Sequence, residues 1–192
     1  MDLVLNALIF LVTVLQLLRF FQMNEGRSTA RFKSALRFFT VQSNILCAAA
    51  ALLMCFAPSS PWVWLLKYIG TAAVTVTMVT VFVFLAPALG SLKRLMQGAD
   101  FYMHLVTPLL ALVSFCGLER RGMGFWLALT GMLPTALYAV LYGYKILLAP
   151  PEKAWKDFYG FNRGGKWYLS ALAMLAGTFG ICVALMALQN LR

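Results

Sequence analysis

The chain has 192 residues, of which 62% are hydrophobic and 11% charged, with a formal net charge of +10. Its mean hydropathy is +0.82. A soluble domain carries about 25% charged residues, and a chain of this size cannot hide so much apolar surface from water, so a water-soluble domain, a coiled coil and a disordered chain are all excluded.

The solvent for most of the chain is therefore lipid. A bilayer core of about 30 Å needs about 20 apolar residues in a helix. In chain order, six segments reach that length, at 3–21, 38–57, 64–86, 101–117, 125–148 and 167–188. The expected fold is all-α: a polytopic integral membrane bundle of six transmembrane helices, forming a single transmembrane domain over 1–192. The first segment does not read as a signal peptide, because it lacks a basic leader, carries Asp2 and precedes no A-x-A site. Cys47, Cys55, Cys116 and Cys182 all lie inside apolar runs without metal-type spacing, so neither a disulfide framework nor a metal site is expected.

Basic residues fall in the gaps between segments. This reads as membrane orientation and attraction to anionic headgroups, with no nucleic-acid partner. The first, third and fifth gaps with their edges hold twelve: Arg19, Arg27, Arg31, Lys33, Arg37, Lys93, Arg94, Lys145, Lys153, Lys156, Arg163 and Lys166. The opposite side holds four, Lys67, Arg120, Arg121 and Arg192. By the positive-inside rule the odd gaps face the cytoplasm and both termini face outward. Compact gaps point to a prokaryotic inner membrane. Lys67 and Lys145 are expected to snorkel at span ends.

Polar groups in hydrocarbon need a partner or a purpose. Thr40, Ser43, Asn44 and Cys47 share one face of the second span, and His104 and Thr107 share one face of the fourth. Both spans leave the same side, so Thr40 and His104 lie at similar depth, about one turn in. Gln16, Thr77, Thr80, Tyr138, Tyr142 and Ser170 fall in the same half, and the outer half carries fewer such groups. If these faces converge, a polar cavity opens toward the cytoplasmic leaflet.

His104 is the single histidine. An apolar surround favours a neutral imidazole, and a neutral imidazole beside a hydroxyl is what nucleophilic catalysis by Ser or Thr requires. Thr40 is the candidate nucleophile and Ser43 the fallback. Asn44 is a candidate amide donor to an oxyanion. Thr107, Tyr138, Tyr142 and Asp157 complete the candidate site, Asp157 as an orienter of His104 or a headgroup ligand. Structural readings stand beside each of these. Thr40 fits an N-cap, Ser43 and Asn44 fit interhelical ties, His104 fits a satisfied buried histidine, and Asp157 fits a loop cap. The Thr71/Thr75 and Thr77/Thr80 pairs read as backbone-satisfied packing positions. Pro108 and Pro134 interrupt spans four and five, Pro108 freeing the carbonyl of His104 itself. The aromatics of the fifth gap, from Trp155 to Tyr168, belong at the headgroup level.

The run Arg37-Phe38-Phe39-Thr40-Val41-Gln42-Ser43-Asn44 resembles the "basic–aromatic–x–Thr–x–x–x–Asn" start of a core helix in the androgen-induced-gene and androgen-dependent TFPI-regulating protein family. The run Tyr102-Met103-His104-Leu105-Val106-Thr107-Pro108 is similar to that family's histidine helix. The stretch from Leu133-Pro134 to Tyr142 and the segment Asp157-Phe158-Tyr159-Gly160-Phe161 are similar to the later segments of bacterial members. The resemblance implies a multi-pass membrane hydrolase of fatty acid esters of hydroxy fatty acids, with Thr40 as nucleophile and His104 as base. It implies no cofactor and no protein partner, only membrane lipids or fatty acyl esters. The chain departs from the family in its short length, its compact Thr-to-His separation and the lack of a membrane-buried acid to orient the histidine. A membrane acyltransferase, a small proton-coupled transporter and a non-catalytic scaffold are the rival expectations.

Overall fold

The computed structural model describes residues 2–22 and 34–191. Of the basic residues that set the charge asymmetry, Arg27, Arg31, Lys33 and Arg192 lie outside the described residues. Among the described residues there is no strand, and six helices are long and apolar enough to cross a membrane. They are α1 (Asp2–Gln22), α2 (Phe39–Phe56), α3 (Pro61–Ala88), α4 (Ala99–Leu118), α5 (Phe125–Leu147) and α6 (Trp167–Asn190). The chain is thus an all-α, multi-pass integral membrane protein. Every segment read from hydropathy is a helix, with ends within about three residues of the expected ones.

Local chemistry sets several of these ends. Ser60 caps α3, its hydroxyl accepting from the Val63 amide at 3.4 Å, and Pro61 follows at the first helical position. At α2, Phe38 stands at the cap position in an extended conformation with no side-chain cap bond. Thr40 is two residues inside the helix, so it is not the N-cap that its residue type allowed.

Prolines and wide turns shape the spans. Val81–Leu85 and Tyr102–Val106 are π-helical, and each stands just ahead of a proline, Pro87 and Pro108. Proline lacks the amide that would close the preceding turn, and its ring crowds the carbonyl four residues back. The turn widens instead: the Ala86 amide reaches the Val81 carbonyl, and the Thr107 amide reaches the Tyr102 carbonyl. Pro134 follows a 3-10 turn at Thr130–Met132, which divides α5 into Phe125–Leu129 and Leu133–Leu147.

Close packing between helices depends on two glycines. A Cβ on Gly70 of α3 would lie 3.0 Å from the Cys47 Cα of α2. Small residues at such crossings let membrane helices pack where the hydrophobic effect gives no drive. A Cβ on Gly131 would meet the Tyr68 hydroxyl at 2.6 Å and the Cys182 sulfur at 2.9 Å. The Tyr68 hydroxyl donates to the Ala128 carbonyl at 2.5 Å, satisfying a backbone group at the break in α5.

Ion pairing overturns one expectation. Lys67 does not snorkel: it is fully buried, and its ammonium lies 3.7 Å from Glu119 Oε1, also buried. The ammonium donates to Asn6 Oδ1 at 2.5 Å and to Ser114 Oγ at 3.3 Å. Asn6 Nδ2 and the Ser114 hydroxyl donate to the same Glu119 oxygen at 2.5 and 2.7 Å. The π-turn Ser114–Leu118 puts Ser114 and Glu119, five residues apart, on one face. The terminal half of the bundle therefore carries its own dense polar cluster, contrary to the expectation that it holds fewer polar groups. A buried acid does exist, on the opposite face from His104. Lys67 lies six residues from the start of α3, nearly two turns in, where a free lysine would still bend to water; here an acid and two neutral oxygens within reach replace that water.

Candidate functional site

Thr40 enters the site from the first turn of α2. Two bonds fix the turn before it: Tyr138 donates from its hydroxyl to the Arg37 carbonyl at 2.7 Å, and Gln42 Nε2 donates to the Leu36 carbonyl at 2.6 Å. His104 enters from the π-turn of α4 and is 7% exposed. The two side chains meet, with Thr40 Oγ1 3.5 Å from His104 Nε2. That separation is loose for a hydrogen bond, as is common in unliganded sites.

The other ring nitrogen decides the tautomer. His104 Nδ1 lies 2.8 Å from the Leu95 carbonyl, an oxygen that can only accept. Nδ1 therefore carries the proton in the neutral ring, and Nε2 presents its lone pair to Thr40. The ring is thus held by a backbone carbonyl of the short helix Leu92–Leu95. Sequence reasoning missed Leu95 because a carbonyl is common to every residue and leaves no compositional mark.

Thr40 lies on the wall of a cavity of about 430 Å³. His104 is outside the lining and touches Thr40 from the other side of its hydrogen bond. The rest of the wall comes from the second half of α3, from α5, from the first half of α6, and from Tyr159, Gly160 and Phe161 of the fifth gap. Most of it is apolar. Thr77, Thr80, Thr135 and Ser170 add hydroxyls, and that of Thr135 is buried without a partner. Toward lipid the wall runs from Phe84 and Ala88 on α3 to Leu169, Ala173 and Gly177 on α6. Phe84 and Leu169 are half exposed. Ala173 and Gly177, four residues apart on one face of α6, are too small to close the gap between the helices.

The remaining candidate residues separate. Tyr138 and Tyr142 line the cavity, with their rings stacked at 5.7 Å. Ser43 is buried and turned away from His104: its hydroxyl donates to the Thr40 carbonyl at 3.1 Å and sits 2.8 Å from Thr77 Oγ1. It ties α2 to α3 and is not placed as a nucleophile. Asn44 is corrected as well. Its amide nitrogen donates to the Thr40 carbonyl at 2.8 Å and to the Met103 carbonyl at 3.2 Å, which uses both protons. It holds α2 against the histidine turn and has no proton left for an oxyanion. Thr107 faces α1, with its hydroxyl 3.1 Å from that of Thr13, and does not reach the cavity.

Asp157 neither touches nor orients His104. Its Oδ1 accepts from the Tyr142 hydroxyl at 2.9 Å and the Phe161 amide at 2.8 Å, and Oδ2 accepts from the Asn162 amide at 2.8 Å. It is the organiser of the fifth gap, the loop-cap role among those its sequence allowed. Tyr159 is the residue that this loop delivers. Its hydroxyl accepts from the Phe39 amide at 3.2 Å, one residue before Thr40, and its ring meets that of Tyr138 edge-on at 6.3 Å. Burial raises its phenol above the ordinary tyrosine value, which keeps the proton on the oxygen. In sequence Tyr159 is one aromatic among many at a membrane interface, and nothing in its spacing separates it from Phe158 or Phe161.

No protein-family model, no curated protein and no solved structure matches this chain.

Proposed function

We propose that the chain is an integral membrane hydrolase of lipid acyl esters, working through an acyl-threonine intermediate at Thr40 with His104 as base. The observation that carries this reading is the series Thr40 hydroxyl, His104 imidazole and Leu95 carbonyl, with Thr40 on the wall of an acyl-sized cavity. As Thr40 Oγ1 bonds to the acyl carbon, its proton passes to Nε2. The bond from that carbon to the leaving alcohol oxygen then breaks, and Nε2 returns the proton to the alcohol. Water repeats the sequence and frees the acid. The resemblance to the androgen-induced-gene family supports the same two roles and makes fatty acid esters of hydroxy fatty acids the leading substrates. The opening between α3 and α6 fits lateral access from the bilayer.

The test is reaction with a fluorophosphonate in nanodiscs. Covalent mass is expected on Thr40, retained in Thr40→Ser and lost in Thr40→Val. His104→Ala is expected to slow labelling by about 10²–10⁴-fold, the usual contribution of a general base. A folded protein that takes no label on Thr40 would end this reading.

The proton-carrier alternative gains a buried acid in Glu119. That acid lies on the face away from His104, and its Oε1 is already held by Asn6, Ser114 and Lys67. The charge asymmetry supports a cytoplasmic His104 face, and the compact gaps support a prokaryotic inner membrane. The thiol of a Lys153→Cys variant should then react with an impermeant maleimide only after the cells are opened.

A further inference from the structure

We propose that Tyr159 is a catalytic residue of the same site, the hydrogen-bond donor to the oxyanion that forms when Thr40 attacks. The inference rests on the hydrolase reading and adds the one function that reading leaves unassigned. A tetrahedral intermediate on Thr40 places a negative oxygen next to Oγ1, on the cavity side, and catalysis of acyl transfer needs a preorganised donor there.

Candidates for that donor are few. Asn44 has committed both amide protons to carbonyls. Ser43 donates to the Thr40 carbonyl, away from the cavity. Tyr138 lines the cavity but donates to the Arg37 carbonyl at 2.7 Å. Tyr159 lines the same cavity as Thr40, and its oxygen accepts from the amide of Phe39, the residue before Thr40, at 3.2 Å.

Proton direction follows from those contacts. Thr40 has one hydroxyl proton, and His104 Nε2 can only accept it in the tautomer set by Leu95. The Tyr159 hydroxyl donates to no acceptor among the described residues, so its proton is free to meet an oxygen that develops in the cavity. The phenol donates to the oxyanion on the cavity side, and no proton is transferred from it. Acceptance of the Phe39 amide polarises the phenol and strengthens it as a donor. Asp157 and Tyr142 keep it in place, because the Tyr159 amide donates to the Tyr142 hydroxyl at 3.1 Å and that hydroxyl donates to Asp157.

The experiment compares wild type with Tyr159→Phe, which keeps the ring and its packing. It measures the rate of fluorophosphonate transfer to Thr40 and the kcat and KM for p-nitrophenyl octanoate, alongside thermal unfolding. The expected result is a loss of about 10²–10³ in labelling rate and kcat, the usual cost of one oxyanion donor, with KM and melting temperature little changed. Installing 3,5-difluorotyrosine at position 159, with the same shape and a more acidic hydroxyl, should keep the labelling rate within a few-fold of wild type. If wild type labels on Thr40 and Tyr159→Phe labels equally fast, Tyr159 is not the donor while the hydrolase stands. If Tyr159→Phe slows labelling only together with a lower melting temperature, and the fluorinated residue slows it as much, the phenol is structural and the inference falls. If wild type does not label at all, the hydrolase reading fails and takes the inference with it.

Discussion

Removing one partner of the Lys67–Glu119 pair should destabilise the bundle far more than removing both. Lys67 is fully buried, and its ammonium lies 3.7 Å from the Glu119 carboxylate. At an effective dielectric of ~20, that separation corresponds to about 4.5 kcal/mol of attraction. Leaving either charge alone in a buried site costs about 3–5 kcal/mol. Lys67→Met strands a carboxylate that keeps only the Asn6 and Ser114 donors, and Glu119→Gln strands an ammonium that keeps only Asn6 Oδ1 and Ser114 Oγ. Each single variant is therefore expected to lose about 3–5 kcal/mol. The double variant buries two neutral side chains of similar volume and should lose less than about 2 kcal/mol, since a well-packed neutral replacement often matches an ion pair. Unfolding in mixed micelles at increasing sodium dodecyl sulfate, over the full cycle, gives the coupling directly. Single losses below about 1 kcal/mol, or a double loss equal to the sum of the singles, would refute the claim that the pair is charged and closed to water.

Three further outcomes follow from the geometry. Gly131→Ala should cost about 1–3 kcal/mol in the same titration, as overpacking does, because its Cβ would sit 2.6 Å from the Tyr68 hydroxyl and 2.9 Å from the Cys182 sulfur; a neutral result would mean that the 3-10 turn of α5 shifts freely. Asn44→Leu should lower stability by about 1–2 kcal/mol through loss of its interhelical bonds and slow Thr40 labelling less than tenfold, whereas a hundredfold loss at unchanged stability would return Asn44 to the oxyanion role. Asp157→Ala removes three hydrogen bonds from the fifth gap. Amide exchange at 158–162 should accelerate about tenfold or more, the equivalent of one charged hydrogen bond; exchange unchanged from wild type would show that the aromatic packing alone orders the loop.

The sequence determined the six helices and the matched depth of Thr40 and His104, and the reason is the membrane itself. In lipid every backbone group must be satisfied within its own segment, so an apolar run of about 20 residues has one available structure. Polar side chains are so scarce in those runs that a hydroxyl and an imidazole at matched depth, on spans leaving the same side, stand out. Span alternation then brings them to one face of the bundle, and the structure places them 3.5 Å apart.

Tertiary structure alone decided the rest. Lys67 near a span end carries the same local pattern whether it reaches for headgroups or pairs inward, and its partner Glu119 belongs to a different helix. Asn44 has the chemistry of an oxyanion donor, but the helix it meets takes both of its protons. Leu95 meets His104 through its carbonyl, and Tyr159 is placed by a loop fold that Asp157 organises. Periodicity records which face a side chain occupies, because a helix fixes that locally; it does not record which protons remain free, because that depends on acceptors brought in from distant parts of the chain.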